Sequence, residues 1–469
     1  MKRRLGVTQT EAIRALYEGR LPGFTDLVCY WFERARELIE RGVVQRAGLV
    51  ATNSIRKNTN LPVVKRIAAT TRIYEAWNEE QWTVDGAAVD VSLICFGNAD
   101  DLEVRLNGAQ VNSINPDLTS GLNLTLARPL HENKNGAYLG IQKSGPFDVP
   151  GEIARAWMRE PTNPNGRTNA EVLKPYWNGD DVTGRPRDFW FIDFPLGLSR
   201  ADVSLFTRPF RHVETTPDED GKTIQQLRKE LGDRAGPRWW EPHWPRPGMR
   251  KKIAALPRYI VTPETAQYRL FVWLSYPVLP DKNLIVVPRA DDLIFGLLHS
   301  RFHEAWALRK GSDLEDRPRY THTSTFATFP FPAGMTPNLP VAEARAHPAA
   351  EAIETAARRL NELRSAWLYP ENRIDRIPEV VPGFPDRLLP NNPDAGRELS
   401  TRTLTSLYNE KPTWLLEAHR TLDAAVAAAY VWPTDISDEE ALERLFALNQ
   451  ERAGAGAVGA AETPDEPVG

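Results

Sequence analysis

The stretch RAGLVATNSI, residues 46–55, decides the fold class of this 469-residue chain, because it is an apolar run that ends in a polar turn. Such a run predicts a buried strand over 47–52. A helical pattern at 25–42 precedes it, and a second strand-like run, AAVDVSLICFG, follows at 87–97. Alternating helix and strand signals predict an α/β sheet. These helix and strand signals follow one another as in the later part of such a sheet, although the pattern starts within the first fifty residues of the chain.

The neighbouring segments extend the same pattern. Residues 9–20 are predicted to form a short amphipathic helix, and residues 60–70 a second helix with Pro62 in its first turn. Residues 72–77 are predicted to form a strand. The stretch NEEQWTVDG then predicts an antiparallel hairpin that leads into the strand at 87–97.

Composition indicates an ordinary globular chain with a reducing, cytoplasmic location. The two cysteines, Cys29 and Cys95, lie in apolar runs and are predicted to be buried thiols. No apolar run is long enough to span a membrane, and no secretory signal is visible. The formal net charge of −4 does not favour a nucleic-acid partner, but residues 161–260 are mildly basic and can form a local phosphate-binding surface.

In the remainder of the chain, the composition and the predicted secondary structure change twice. From about 100 to 335, short strands and many Pro, Trp, Gly and Arg residues predict an α+β region with irregular loops, in which 291–311 is one helix. The Pro-rich stretch 326–340 reads as a linker. Helical patterns follow, and the last residues have the composition of a disordered tail.

Two motifs are only weak evidence for a ligand-binding site. Gly454, Gly456 and Gly459 form a G-x-G-x-x-G, but a helix precedes them and an acidic tail follows, so a Gly/Ala-rich tail is favoured over a dinucleotide site. His299 and His303 are four residues apart on a predicted helix, as in half of a metal site. Because a third ligand and a catalytic Glu are missing from the motif, a structural role is favoured.

Aromatic and basic residues interleave at 238–252, RWWEPHWPRPGMRKK, and at 163–190. Arg and Asn side chains can read base edges, and Lys and Arg neutralise phosphates. The alternative is that the Trp residues are core and the charges belong to solvated loops. Composition alone leaves both interpretations open.

Several longer stretches resemble MmeI-like, adenine-specific DNA methyltransferases, the type IIL/IIG restriction–modification methylases and their methylase-only relatives. The resemblance covers nearly the whole chain in order. The stretches that carry it include FTDLVCYWFERARELIERGVVQRAGLVATNSIRKNTN, WTVDGAAVDVSLICF, LKPYWNGDDVTGRPRDFWFIDF, LPRYIVTPETAQYRLFVWL, LIFGLLHSRFHEAWALRKG, YTHTSTFATFPFP and RTLTSLYNEKPTWLLEAHRTLDAAVAAAYVWPTDIS.

The resemblance implies an α/β plus α+β fold in four parts. These are the second half of a Rossmann-like methyltransferase sheet (1–100), an irregular target-recognition domain that reads DNA (101–335), a C-terminal helical region (341–452) and a disordered tail (453–469). The strands at 47–52, 72–77 and 87–97 are then similar to the fifth, sixth and seventh strands of the methyltransferase sheet.

The family binds S-adenosylmethionine through a Phe/Gly-rich loop and acts on adenine through an Asn-Pro-Pro-Tyr or Asn-Pro-Pro-Phe loop. Neither occurs in this sequence. The nearest strings are Asn115-Pro116-Asp117, Asn163-Pro164-Asn165 and Asn392-Pro393-Asp394. Methyl transfer is therefore expected to require an N-terminal methylase chain in trans, with double-stranded DNA as the other partner.

The resemblance also suggests which residues contact DNA. Asp85 and Gly86 match the family's motif near the target-base pocket, although a plain hairpin turn explains them equally well. The remaining DNA-contacting candidates are Lys143, Arg167, Asn169, Lys174, Asn178, Arg185 and Arg187. Two other functions stay open: a non-catalytic, sequence-specific DNA-binding module, and an inactive remnant of a methyltransferase.

Overall fold

A computed structural model of the chain describes residues 5–57, 59–84, 87–98, 102–218, 220–231, 238–310, 312–314 and 317–456. The chain divides into two compact units, Met1–Ala127 and Arg128–Gly469. The sequence placed one domain boundary at 100 and another before 341. The candidates Asp85 and Gly86 lie outside the described residues.

The first unit is an α/β unit built on one five-stranded sheet, in the order β1-β3-β2-β4-β5. The predicted helices and strands are confirmed, and β2 runs on well beyond its predicted end along the hairpin. The elements are α1 Val7–Leu16, α2 Leu27–Glu40, β1 Arg46–Thr52, α3 Leu61–Thr70, β2 Arg72–Val84, β3 Ala87–Gly97, β4 Arg105–Leu106 and β5 Ala109–Gln110, with a 3-10 turn at Asn53–Arg56.

The strand β3 lies between β1 and β2 and is antiparallel to both. The register with β1 runs from Arg46 opposite Gly97 to Thr52 opposite Val91. Among the described residues, β1 pairs with a strand on one side only, so it forms an edge of this sheet.

The core of the first unit forms where α2 and α3 lay their apolar faces on the sheet. Phe32, Ile67 and Phe96 are fully buried there, and so is Cys29 as predicted. Cys95 is only half-buried, which corrects the prediction. It lies opposite Gly48, which has no side chain to cover it.

The second unit contains two four-stranded sheets, in the orders β11-β10-β13-β6 and β12-β8-β9-β7. Two separate hairpins, β14-β15 and β16-β17, complete its strands among the described residues. The strands are β6 Tyr138–Leu139, β7 Asp148–Pro150, β8 Leu173–Trp177, β9 Phe189–Ile192, β10 Arg258–Pro263, β11 Val272–Ser275, β12 Leu279–Pro280, β13 Leu284–Val287, β14 Ser312–Leu314, β15 Arg317–Arg319, β16 Ile374–Ile377 and β17 Arg387–Pro390.

Helices surround these sheets and make up most of the C-terminal region. A π-helical turn spans His322–Phe326. The helices are α4 Gly151–Met158, α5 Gly179–Thr183, α6 Arg200–Ser204, α7 Thr207–Thr215, α8 Ile224–Leu231, α9 Pro247–Ile253, α10 Asp292–His299, α11 Arg301–Lys310, α12 Val341–Ala344, α13 Ala350–Leu368, α14 Pro393–Thr401, α15 Leu404–Glu410, α16 Thr413–Ala429 and α17 Asp438–Gly456.

The prediction of a single helix over 291–311 is wrong in one respect, because the helical segment breaks at Ser300 into α10 and α11. Ser300 has extended backbone angles, and the backbone N–H of Arg301 donates a 2.8 Å hydrogen bond to Asp423 of α16. A side-chain acceptor at this position starts a new helix as an N-cap does. The sequence of residues 291–311 does not predict this break, because the partner Asp423 lies in a later segment.

The C-terminal end differs slightly from the prediction. The helix α17 continues to Gly456, so Gly454 and Gly456 of the G-x-G-x-x-G string are helical, whereas Gly459 lies outside the described residues. Within the described part of the chain, no helix combines the length and apolar character needed to cross a membrane.

Candidate nucleic-acid interface

Three of the predicted DNA-contacting cations are paired with carboxylates of the protein. Lys143 forms an ion pair with Asp148, and Arg167 Nε lies 2.7 Å from Glu171 Oε2. Arg187 binds both carboxylate oxygens of Asp181, at 3.0 Å and 3.2 Å. Since Arg167 and Arg187 remain more than two-fifths exposed, a DNA phosphate can compete for them.

The amide side chains of Asn169 and Asn178 are engaged within the fold. Asn169 is only 2% exposed and donates a 3.0 Å hydrogen bond to the carbonyl of Trp157. Asn178 is the N-cap of α5, and its Oδ1 accepts from the backbone N–H groups of Asp180 (2.9 Å) and Asp181 (3.2 Å). These contacts account for both residues without a ligand, and their role in binding DNA stays a prediction.

Arg185 is likewise directed at backbone rather than at a carboxylate. Its Nε and Nη2 donate to the carbonyls of Leu399 (3.0 Å) and Leu368 (2.7 Å), and its guanidinium lies over Tyr369. Burial lowers its pKa. Arg185 thereby ties the α5–β9 connection to the C-terminal helical region.

Lys174 on β8 has no ion pair among the described residues, and its ammonium lies 5.4 Å from the centroid of the Phe384 ring. Burial lowers its pKa. It lines a pocket of about 360 Å³ with Glu171, Tyr276 and the segment 381–384.

A larger cavity of about 530 Å³ lies between β8, β9 and the β16-β17 hairpin. Its wall includes five aromatic residues and four prolines, and its charged groups include Asp188, Glu379, Arg185 and Arg387. Arg155 bridges two of these carboxylates, because its guanidinium contacts both Asp188 and Glu379. The ion pairs hold the hairpin against the sheet.

The two histidines considered as half of a metal site each form hydrogen bonds within the fold. His299 accepts a 2.7 Å hydrogen bond from Arg364, and His303 shares a 3.0 Å hydrogen bond with the hydroxyl of Tyr320. Both rings are fully buried, and burial lowers the pKa of His303 to about 3. Among the described residues, no cluster of His, Cys, Asp or Glu has the composition of a metal site.

Sequence reasoning marked the stretch 238–252 but no residue within it. In the structure, Trp244 forms an isolated antiparallel bridge with Gln142. Trp244 N donates to Gln142 O at 3.0 Å, and His243 N donates to Lys143 O at 3.2 Å. The ring of His243 stacks on Trp244 with a 5.2 Å centroid distance.

Arg246, at the end of this segment, lies over the Trp244 ring and acts electrostatically on His322 from a later part of the chain. Its charge lies close enough to His322 to lower the pKa of that histidine, in addition to the larger effect of burial. Glu264, which acts on His322 in the opposite direction, accepts a 2.8 Å hydrogen bond from Arg319 Nε. We call Trp244, Arg246, Glu264, Arg319 and His322 the polar cluster.

The polar cluster consists of the Arg246–Trp244 cation–ring pair, the Arg319–Glu264 ion pair and His322, whose pKa is affected by both Arg246 and Glu264. Arginine forks bind guanine edges or phosphates, and aromatic rings position cations. Only the high density of Trp and Arg at 238–252 signalled it in the sequence, because the partners Glu264, Arg319 and His322 come from later segments.

Comparison with known families places this cluster in a recognised domain. Residues 242–333 match the family model of the MmeI target recognition domain, and all five cluster residues fall within them. No curated protein matches the chain.

The chain is also similar to a solved structure, that of the type IIL restriction–modification enzyme MmeI in complex with DNA. The TM-score is 0.66 at 20% sequence identity, over 95% of this chain and 55% of that protein. The chain thus spans about half the length of the solved enzyme. The family model and the shared fold confirm the resemblance to MmeI and the mixed α/β and α+β architecture.

Proposed function

We propose that this chain supplies DNA target recognition to a site-specific, S-adenosylmethionine-dependent N6-adenine DNA methyltransferase of a restriction–modification system. The observation that carries the proposal is the match of 242–333 to the MmeI target recognition domain, on the segment that holds the polar cluster. The MmeI structure contains DNA, and its fold covers almost all of this chain.

The proposal assigns distinct duties to the basic residues. Exposed arginines such as Arg167 and Arg187 exchange their carboxylate partners for phosphates, which fix the register of the protein on the duplex. The polar cluster reads base edges. The net charge of −4 is compatible with this, because local fields rather than the total charge steer DNA.

The catalytic step requires residues from another polypeptide segment. The three Asn-Pro strings of this chain do not fit the catalytic loop, because each asparagine serves the fold. The side chain of Asn115 donates to Thr119 and Gly121, that of Asn163 to Arg167 O and Asn169, and that of Asn392 caps α14. Without the Phe/Gly-rich and Asn-Pro-Pro loops, these residues hold neither the cofactor nor the target amino group.

The surface of the first unit supports a covering partner. Among the described residues its strand β1 is an edge, and the same unit has exposed large apolar side chains, including Phe24 (75%) and Trp31 (66%). Edges and apolar patches of this kind are normally covered. The proposed cover is the first half of the methyltransferase sheet, either preceding this segment in a longer protein or supplied in trans.

The test is methyl transfer from labelled S-adenosylmethionine to DNA, measured with this chain alone and with a polypeptide that carries the cofactor and Asn-Pro-Pro loops. We expect transfer only in the mixture. Transfer by the chain alone would refute the argument from the missing loops, and no transfer in either case would refute the methyltransferase assignment.

The second candidate function is a non-catalytic DNA-binding module. It is favoured by the separation of the chain into two units, because the polar cluster and all seven candidates from Lys143 to Arg187 belong to Arg128–Gly469. Sequence-specific retention of DNA, together with no methyl transfer in the mixture, would identify this function.

A further inference from the structure

The backbone at Arg246 is fixed in a conformation that L-residues seldom adopt. It is the N-cap of α9 with φ 56° and ψ 59°, in the left-handed region. Pro245 and Pro247 flank it, and a following proline disfavours the right-handed helical region for the residue before it. Glycine or asparagine is the usual residue for such a position. This backbone conformation fixes the direction in which the Arg246 side chain leaves the main chain.

The guanidinium of Arg246 is half-buried and has no ion pair among the described residues, and its Nε is buried without a hydrogen-bond acceptor. Burial lowers its pKa. Arg319 of the same cluster differs from Arg246, because Glu264 neutralises its charge. A half-buried charge with one unmet donor, here Nε, is costly unless a partner arrives.

The surroundings of Arg246 keep its side chain in place. The guanidinium lies 5.6 Å from the centroid of the Trp244 ring, and Trp244 is bonded through its backbone to Gln142. His322, whose pKa the charge of Arg246 lowers, belongs to the π-helical turn. Pi-helical turns occur frequently at functional sites.

We infer that Arg246 reads a guanine in the DNA target, through paired hydrogen bonds from its guanidinium to O6 and N7 in the major groove. The inference rests on the proposed DNA-recognition function and assigns it a specificity-determining residue. A guanine edge is favoured over a phosphate because the half-buried guanidinium lies over the Trp244 ring, and an arginine fork on O6 and N7 is the commonest specific base contact.

The test is selection of bound duplexes from randomised DNA by the full chain, followed by binding measurements on single-base variants of the selected site. The wild-type chain is expected to require guanine at one or more positions. Arg246→Ala should reduce the preference for guanine at one of these positions by roughly 5- to 150-fold and leave the other positions unchanged.

Two further variants separate the possible contacts. Arg246→Lys keeps the charge without the fork, so it should lose the same guanine preference while retaining most of the total affinity. Lys251→Ala removes an exposed cation from the same helix α9 and should leave the preference intact. Melting temperatures of all variants, compared with that of the wild type, exclude misfolding.

Three results would overturn the inference. Unchanged selectivity in Arg246→Ala shows that this residue does not read DNA. Equal weakening on all sequences, with a shallower salt dependence, identifies a phosphate contact instead. If the wild-type chain selects no sequence at all, the proposed function itself fails, and this outcome is distinct from the other two.

Discussion

Asn178 is a residue whose chemistry suits base reading but whose contacts serve the fold. Its Oδ1 accepts two backbone N–H groups at the start of α5, and Asp181 completes a capping box. We expect Asn178→Ala to lower the free energy of unfolding by about 1 kcal/mol, and Asn178→Asp to retain most of it, because aspartate caps equally well. Urea unfolding measures both. A loss of DNA binding in Asn178→Asp at unchanged stability would instead identify a base contact.

The buried histidines make stability depend on pH. Burial lowers the pKa of His303 to about 3 and that of His419 to about 4, whereas both titrate near 6.5 in the unfolded chain. The unfolded state therefore binds protons that the folded state excludes. The contribution of these two histidines to stability is full above pH 6.5 and is lost as the pH falls toward their folded pKa values, by up to about 1.4 kcal/mol per pH unit for each histidine.

Urea unfolding midpoints measured between about pH 7 and pH 5 check this dependence. His303→Gln can still donate and accept hydrogen bonds but does not titrate, so its midpoint should fall less steeply with pH. A wild-type midpoint that stays constant over this range, or a variant with the wild-type slope, would contradict the prediction.

At the scale of single residues, the sequence indicated which side chains could bind DNA but did not indicate which groups of the protein they contact. Lys143 and Arg187 were singled out as cations, yet their nearest groups are the carboxylates of Asp148 and Asp181. Arg246 was inside a marked stretch but was not chosen. Which arginine is neutralised and which is left unpaired depends on contacts such as Arg319–Glu264, and such contacts arise only when the chain has folded.

At the scale of elements, Gly296 sets the distance between three helices. A Cβ placed on it would lie 2.8 Å from Ile353 Cγ2 and 2.9 Å from Ala357 Cβ of α13, and 3.2 Å from Leu422 Cδ1 of α16. Gly296→Ala should therefore lower the free energy of unfolding by about 1–3 kcal/mol, because overpacking forces the helices apart.

The matched control for this prediction is Gly454→Ala in α17. No atom lies within 4 Å of the position of its added Cβ, so the change should stabilise by up to about 1 kcal/mol through helix propensity alone. Thermal unfolding of both variants distinguishes crowding from propensity. If Gly296→Ala is as stable as the wild type, α10 does not pack as closely as described.

Elements defined by their own residues were predicted well, and elements defined by distant partners were not. β1 and β3 follow directly from apolar runs, because a buried strand needs such a run wherever it pairs. The break at Ser300 depends on Asp423, and the β16-β17 hairpin lies in a Pro-rich stretch without clear alternation. Local periodicity carries no information about either.

At the scale of the whole molecule, each of the two units has a core of buried apolar side chains. The first unit has an edge strand and exposed apolar side chains such as Leu16 and Phe24. The second unit contains the continuous core that includes Phe147, Phe191 and Tyr259. A unit with its own core can fold independently, so we expect the fragment 128–469 to unfold cooperatively.

The same fragment should retain the DNA selectivity of the full chain, because it contains the polar cluster and the basic candidates from Lys143 to Arg187. Circular dichroism melting and binding to the selected duplex check the two expectations separately. The fragment 1–127 is the matched control, and it should bind DNA weakly and expose apolar surface to a hydrophobic dye. A folded 128–469 fragment that cannot distinguish the selected duplex from a scrambled one would mean that recognition also requires the first unit.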